Sequence, residues 1–336
     1  MHGKLRKTKV TKKMRKKIKK LFFKISFISV FILSLGAIMS KINNNPEEGI
    51  ASIASTNPIE AKDLKEITYE ELFPHNAKIN ELKKLGNISD QDINEMLASI
   101  KEYLGDDITS TSISYYDIIT GRNFNINEKV ELKAASTVKV PVSMMLYEAI
   151  NNGELSEKDT MTFKQGDYEA SFGGIGYENL NEPKTFEHIN ESMIMYSDNV
   201  AVNMLLRFFG NDKRYDFIES IVNHKINRNG NYSTAEDTMK ILKTLYLNPN
   251  NNPFYEKIIK LMKNTSFHER LDKFVPKEIV AHKIGDYGDN TGSYVHDVGI
   301  IYTKQPYILV VMTKNLSDSY NKIANVSKII YDIQTQ

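Results

Sequence analysis

The stretch "ELKAASTVKVPVSMMLYEAI", residues 131–150, decides the reading of this chain. From Ala134 it reads as a helix start: Ser136 suits an N-terminal position, and Pro141 is tolerated only near the beginning of a helix. Val138, Val140, Val142, Met144, Met145 and Leu146 follow, so most of this helix must be buried. Lys139 stands inside that apolar run, three residues after Ser136. A buried ammonium is costly unless it is paired or gives up its proton. Positions three apart share a helix face, so Ser136 and Lys139 lie one above the other. A desolvated lysine loses basicity, and a neutral amine beside a serine hydroxyl can take its proton and create a nucleophile. The N–H of Ser136, at the helix start, is free to face a developing oxyanion. Alone, S-x-x-K is a weak signal, equally compatible with a surface lysine on a misjudged helix.

Two later stretches change its weight. "MIMYSDNVAVNML" places Ser197-Asp198-Asn199 just before another apolar helix, and "VAHKIGDYG" places Lys283-Ile284-Gly285 on a strand. Read singly, the first is an ordinary N-cap and the second an ordinary strand end. In this order, S-x-x-K, S-D-N and K-x-G resemble the signature of class A β-lactamases and penicillin-binding proteins. The resemblance extends through "FGGIGYENLNEPKTFEHINESMIMYSDNVAVNMLLRFFG", "NYSTAEDTMKIL" and "HKIGDYGDNTGSYVHDVGIIY", and covers about residues 88–334.

The resemblance implies an α/β (α+β) fold, an antiparallel sheet flanked by helices plus an all-α lobe. It implies that Ser136 is acylated by an amide or lactam carbonyl, with Lys139 as proton acceptor. Ser197 would pass a proton to the leaving nitrogen, assisted by the charge of Lys283. Asn199 would hold the acyl side-chain amide. The N–H groups of Ser136 and Asp286 would form the oxyanion hole, and Ile284, Gly285 and Asp286 would line the substrate. Such acyl transfer requires no metal and no organic cofactor.

Two departures from the pattern bear on function. Class A β-lactamases carry a glutamate, between the second motif and the "TA-x-D" helix, that activates the deacylating water. Here that region is the shorter "DFIESIVNHKINRNGNYSTAED", without E-x-x-L-N. Glu219 falls in the helix before it, Glu236 in the helix after it, and His224 in a connection expected to face solvent. Removing such a base commonly costs orders of magnitude. In the third motif, Ile284 replaces the usual hydroxyl, and Asp286 adds negative charge beside the place of a substrate carboxylate.

Outward from these motifs, the pattern gives a sheet built from both ends of the domain. "SDQDINEMLASIKEYLG" (89–105) is a capped amphipathic helix, and "ITSTSISYYDI" (108–118) a strand that turns at "ITGRN" into a short return strand. The chain then reads mostly helical over about 137–271, the α lobe. "EIVAHKIG", "GSYVHDVGIIYT" and "PYILVVMTKN" read as three strands, and "SDSYNKIANVSKIIYDIQ" as the closing helix.

Residues 1–20 hold 11 of the 44 lysines and arginines and no acidic residue, so the remaining chain carries 33 basic against 42 acidic residues. The basic character belongs to one end and argues against a nucleic-acid partner. "LFFKISFISVFILSLGAIM" (21–39) is just long enough to span a bilayer. Positive flanks stay inside, which predicts a single-pass membrane anchor with an extracellular catalytic domain. A cleaved signal peptide with a cut near Ser34-Leu35-Gly36, giving a secreted protein, is the alternative. Residues 40–87 read as linker and spacer, and 88–336 as the hydrolase domain. The chain has no cysteine, which excludes a disulfide framework, a thiol nucleophile and a thiolate metal site.

Three functions are open at this point. The first is an acyl-enzyme hydrolase of cell-wall peptide or a related amide or ester, with β-lactams as possible substrates. The second is a β-lactamase with a substitute deacylation base. The third is a non-catalytic surface binding protein on the same fold.

Overall fold

The computed structural model describes residues 88–170 and 173–336. The basic tail, the apolar span and the linker lie outside these residues. Among the described residues no helix is long and apolar enough to cross a membrane.

Helix α1, Asp90–Leu104, starts where its cap dictates. Ser89 Oγ accepts from Asp92 N at 3.1 Å, and the Asp92 carboxylate accepts from Ser89 N at 2.7 Å. This reciprocal bonding satisfies two of the N–H groups a helix start leaves bare. A single 3-10 stretch leads into β1, Thr111–Asp117, which turns into β2, Asn123–Ile126. The chain closes with β7, Val280–Asp289; β8, Gly292–Ile301; β9, Tyr307–Lys314; and α8, Ser319–Gln334. The five strands form one antiparallel sheet in the order β2-β1-β9-β8-β7. The β1–β9 ladder, with Ile113 opposite Val311, joins the early strands to the late ones.

Both faces of the sheet are covered, and β9 shows it by simple alternation. Tyr307, Leu309 and Val311 enter a cluster with Met96 and Ile100 of α1 and Ile323 and Ile330 of α8. Ile308, Val310 and Met312 enter a second cluster with the helical lobe. Successive strand residues point to opposite faces, so a continuously apolar run reports a strand buried on both sides.

The lobe consists of α2, Lys139–Asn151; α3, Phe186–Met195; α4, Asn199–Phe209; α5, Asn211–Val222; α6, Ala235–Leu247; and α7, Tyr255–Lys263. Eight α-helices are thus present among the described residues. Helix α2 is buried almost all round, from Lys139 to Ile150, so it runs through the middle of the lobe. Two short ladders interrupt the expected helical run. They pair β3, Leu132–Lys133, with β6, Tyr232–Ser233, and β4, Thr160–Met161, with β5, Lys184–Thr185. The α2 start also differs from the sequence reading. Residues Ala135–Val138 form a separate 3-10 turn, and the α-helix begins at Lys139.

Candidate active site

The 3-10 turn carries Ser136 and leans on the edge strand β7. Gly285 is the contact point: a Cβ there would lie 3.1 Å from Thr137 Cγ2 and 3.2 Å from both Ala134 O and Ala135 Cβ. Glycine at that position is a packing requirement, because part of the obstacle is backbone. The turn is also strained, since Ala135 has φ +50°, a left-handed value unusual outside glycine. Thr137 Oγ1 donates to Ala134 O at 2.7 Å and closes the turn.

Lys139 is 2% exposed and its ammonium is the hub of the site. Nζ lies 2.9 Å from Ser136 Oγ, 2.7 Å from the Ser197 carbonyl, 3.3 Å from Ser197 Oγ and 2.7 Å from Asn199 Oδ1. Burial drives its pKa down to about 8, against the opposing charges of Asp198 and Glu169. From the other side Lys283, fully buried, donates to Ser197 Oγ at 2.9 Å. Burial and the neighbouring Lys139 push its pKa well down. Two amines therefore share one serine hydroxyl. Repulsion and lost hydration both favour a pair carrying fewer than two positive charges.

Ser197 reaches this point in the left-handed region, φ +54°, immediately before α4. Asp198 caps that helix, accepting from Val200 N at 2.9 Å, and its second oxygen accepts from Ile175 N at 2.7 Å. The loop before α3 comes so close that a Cβ on Gly174 would lie 2.7 Å from Asp198 Oδ2. Asp198 thus fixes Ser197 and Asn199 on either side of it.

The structure therefore brings Ser136, Lys139, Ser197, Asn199 and Lys283 together. Gly285 packs against the Ser136 turn, and Ile284 is buried. Asp286 stands differently from expectation. It is no uncompensated charge: both its oxygens accept from Arg270 Nη2, at 2.7 and 2.6 Å, and Tyr320 Oη donates to it at 3.1 Å. Arg270 is 2% exposed and also donates to His296 O at 2.6 Å. His224 is exposed, as expected, and is bonded to Asp237 at 2.8 Å, which raises its pKa.

Sequence reading missed two residues here, Arg270 and Glu169. Glu169 accepts from Asn199 Nδ2 at 3.2 Å and from Asn203 Nδ2 at 3.1 Å, which makes it a carboxylate on the far side of the Lys139–Asn199 bond. The only available cue was Asn203, four residues after Asn199 and so on the same helix face.

Such an arrangement can remove a serine proton, relay a proton through a second hydroxyl, and hold developing charge near buried amines. A sequence model described as the beta-lactamase enzyme family matches residues 90–334. Among solved structures, the chain is similar to the TLA-3 extended-spectrum beta-lactamase, with 22% identity, TM-score 0.65, and coverage of 72% of this chain and 99% of that one. It is also similar to a beta-lactamase from Sphaerobacter thermophilus, with 21% identity, TM-score 0.62, and coverage of 71% and 96%. A point variant of PBP-A, solved as an acyl-enzyme complex with penicillin G, aligns with 20% identity, TM-score 0.61, and coverage of 70% and 96%. No curated protein sequence matches the chain significantly. The match over residues 90–334 and the shared fold agree with the constellation around Lys139: the chain belongs to the beta-lactamase enzyme family.

Proposed function

We propose that the protein is a membrane-anchored, extracellular serine hydrolase that works through an acyl-enzyme on cell-wall peptide or a related amide or ester. The observation that carries this reading is the 2.9 Å approach of a buried Lys139 amine to Ser136 Oγ. Ser136 Oγ attacks the substrate carbonyl as its proton passes to neutral Lys139. Negative charge develops on the carbonyl oxygen, which the N–H groups of Ser136 and Asp286 receive. The tetrahedral intermediate collapses, the C–N or C–O bond breaks, and Ser197 Oγ delivers a proton to the leaving atom. The Lys139–Ser197–Lys283 chain replaces that proton. Water then cleaves the ester, slowly, because the connection after α5 supplies no free carboxylate to activate it.

Mass spectrometry of the full chain after incubation with a penicillin tests this reading. The expected result is a persistent adduct on the peptide containing Ser136, absent from Ser136→Ala. A transient adduct with hydrolysed drug would instead establish a β-lactamase with a substitute base. No adduct with any acylating probe would leave the non-catalytic reading. For the address, protease added to intact protoplasts should release the catalytic domain; protection until lysis would reverse the topology.

A further inference from the structure

We propose that His268, Asp272 and His282 form a divalent-metal site, suited to Zn²⁺, that pins the segment after α7 to strand β7. The site is separate from the serine chemistry and does not depend on it. His268 Nδ1, an Asp272 carboxylate oxygen and His282 Nε2 all lie within 4.8 Å of one another. Two imidazoles and one carboxylate are a donor set typical of zinc. His282 Nε2 is 3.4 Å from Asp272 Oδ2. Tetrahedral zinc with bonds of about 2.0–2.1 Å separates its ligand atoms by roughly 3.3 Å. That pair therefore already has metal-site spacing. His268 Nδ1 meets the same Asp272 oxygen more closely, as a hydrogen bond.

The second argument is what the protein leaves unmade. Asp272 Oδ1 and His282 Nε2 are buried and neither has a hydrogen-bond partner. Both side chains are only 1% exposed. Buried polar atoms are almost always satisfied, and leaving two at one point is costly. A cation bound by the Asp272 carboxylate and His282 Nε2 would give both of these side chains a partner.

The third argument is the support behind the ligands. His282 Nδ1 lies 2.9 Å from each oxygen of buried Asp297. That contact holds the proton on Nδ1, sets the ring orientation and turns the Nε2 lone pair towards Asp272. A carboxylate behind a ligating histidine is the usual second layer of a zinc site. Asp297 also accepts from Leu271 N at 3.0 Å, so the layer reaches both the strand and the segment to be pinned. His268, 38% exposed, leaves a route from solvent.

The position gives the site a purpose. Arg270 lies between the two ligands of the segment and holds Asp286, while Lys283 directly follows the third ligand. A metal there would fix the register of both residues without touching a reacting atom.

The test uses the full chain, stripped with a chelator and titrated with Co²⁺, then with Zn²⁺. One Co²⁺ should bind per chain with the visible absorption of a four-coordinate nitrogen–oxygen site. Zn²⁺ should displace it and raise the unfolding midpoint. His268→Ala, at a partly exposed position, should weaken binding by at least about tenfold in chain that circular dichroism shows to be folded. His282→Gln should do the same in chain that circular dichroism shows to be folded. Absence of the Co²⁺ spectrum would overturn the proposal and leave a hydrogen-bonded cluster. Binding that survives both substitutions would overturn it as well, by locating the metal elsewhere.

Discussion

Two segments hold the Ser136 turn, and they differ in what their charged groups are free to do. The segment around Ser197 and Asn199 turns the Ser197 hydroxyl and carbonyl and Asn199 Oδ1 towards Lys139 and Lys283. The connection between α5 and α6 is tied as firmly: Asn231 Nδ2 donates to Ala135 O at 2.9 Å, and Ala134 N donates to Asn231 O at 2.9 Å. Yet its ionised groups are consumed among themselves. Glu219 is held at about 2 by hydrogen bonds from Arg228 and Lys225, and Asp237 takes His224. Between that connection and the turn lies a recess lined by Thr137, Val138, His224, Ile226 and Asp237. The lesson is that firm attachment to the Ser136 turn does not by itself bring a charged group to bear on it. On the proposed function, one segment would serve formation of an acyl-enzyme, and the other would bring no free carboxylate to clear it.

The largest effect that could break this contrast is a pair of substitutions. Lys139→Ala should slow acylation by a fluorophosphonate or penicillin by about 10²–10⁴-fold, the usual worth of a general base. His224→Ala, on the other segment, should change it less than about threefold, a shift of under 1 kcal/mol. Equal losses measured by labelling rate would erase the distinction.

A smaller effect concerns Asp286. Its carboxylate occupies the Arg270 guanidinium. Replacing Ile284→Thr with Asp286→Ser supplies a hydroxyl and frees that cation. Acylation by a penicillin should rise about tenfold or more, since a hydrogen bond to a charged group contributes roughly 1.5–3 kcal/mol. The same variant should unfold more easily, because a buried arginine has lost its partner. An unchanged acylation rate would show that Arg270 and Asp286 do not face the substrate.

The smallest effect is a pH shift. Lys139 must be unprotonated to act, and its pKa is lowered to about 8. Acylation should therefore fall about tenfold for each pH unit below that value and level off above it. The Glu169 charge works in the opposite direction, raising the lysine pKa. Glu169→Gln should consequently move the acid limb to lower pH, by less than about one unit. A shift to higher pH, or none, would remove Glu169 from the site's electrostatics.

Much of this was legible in the residues. The Ser89 cap, the strand run 307–314 and the helix-compatible spacing of Ser136 and Lys139 are local signals, and local signals survive folding. The first motif could be read because a lysine in an apolar run is anomalous at any resolution of pattern. Glu169 gave no such anomaly: it stands in "GDYEAS", a polar segment without period, and becomes a site neighbour only through Asn199 and Asn203. The pairing of Asp286 was not legible, because its partner lies 16 residues away, on a segment with no regular pattern. The separate turn before α2 was hidden because helix propensity does not distinguish one tight turn from the first turn of a helix.

The left-handed backbone at Ala135 and Ser197 has a consequence for how such a protein could be improved. Each of these residues sits in a conformation costing of order 1 kcal/mol, and each adjoins or is a group that must be aimed. Selection for heat resistance alone would relax these turns among the first places it could. Selection for turnover would keep them. On the proposed function, the aim of Ser136 and Ser197 and the thermal margin of this fold would pull against each other at two residues, and a thermostable descendant is best sought in mutations far from both.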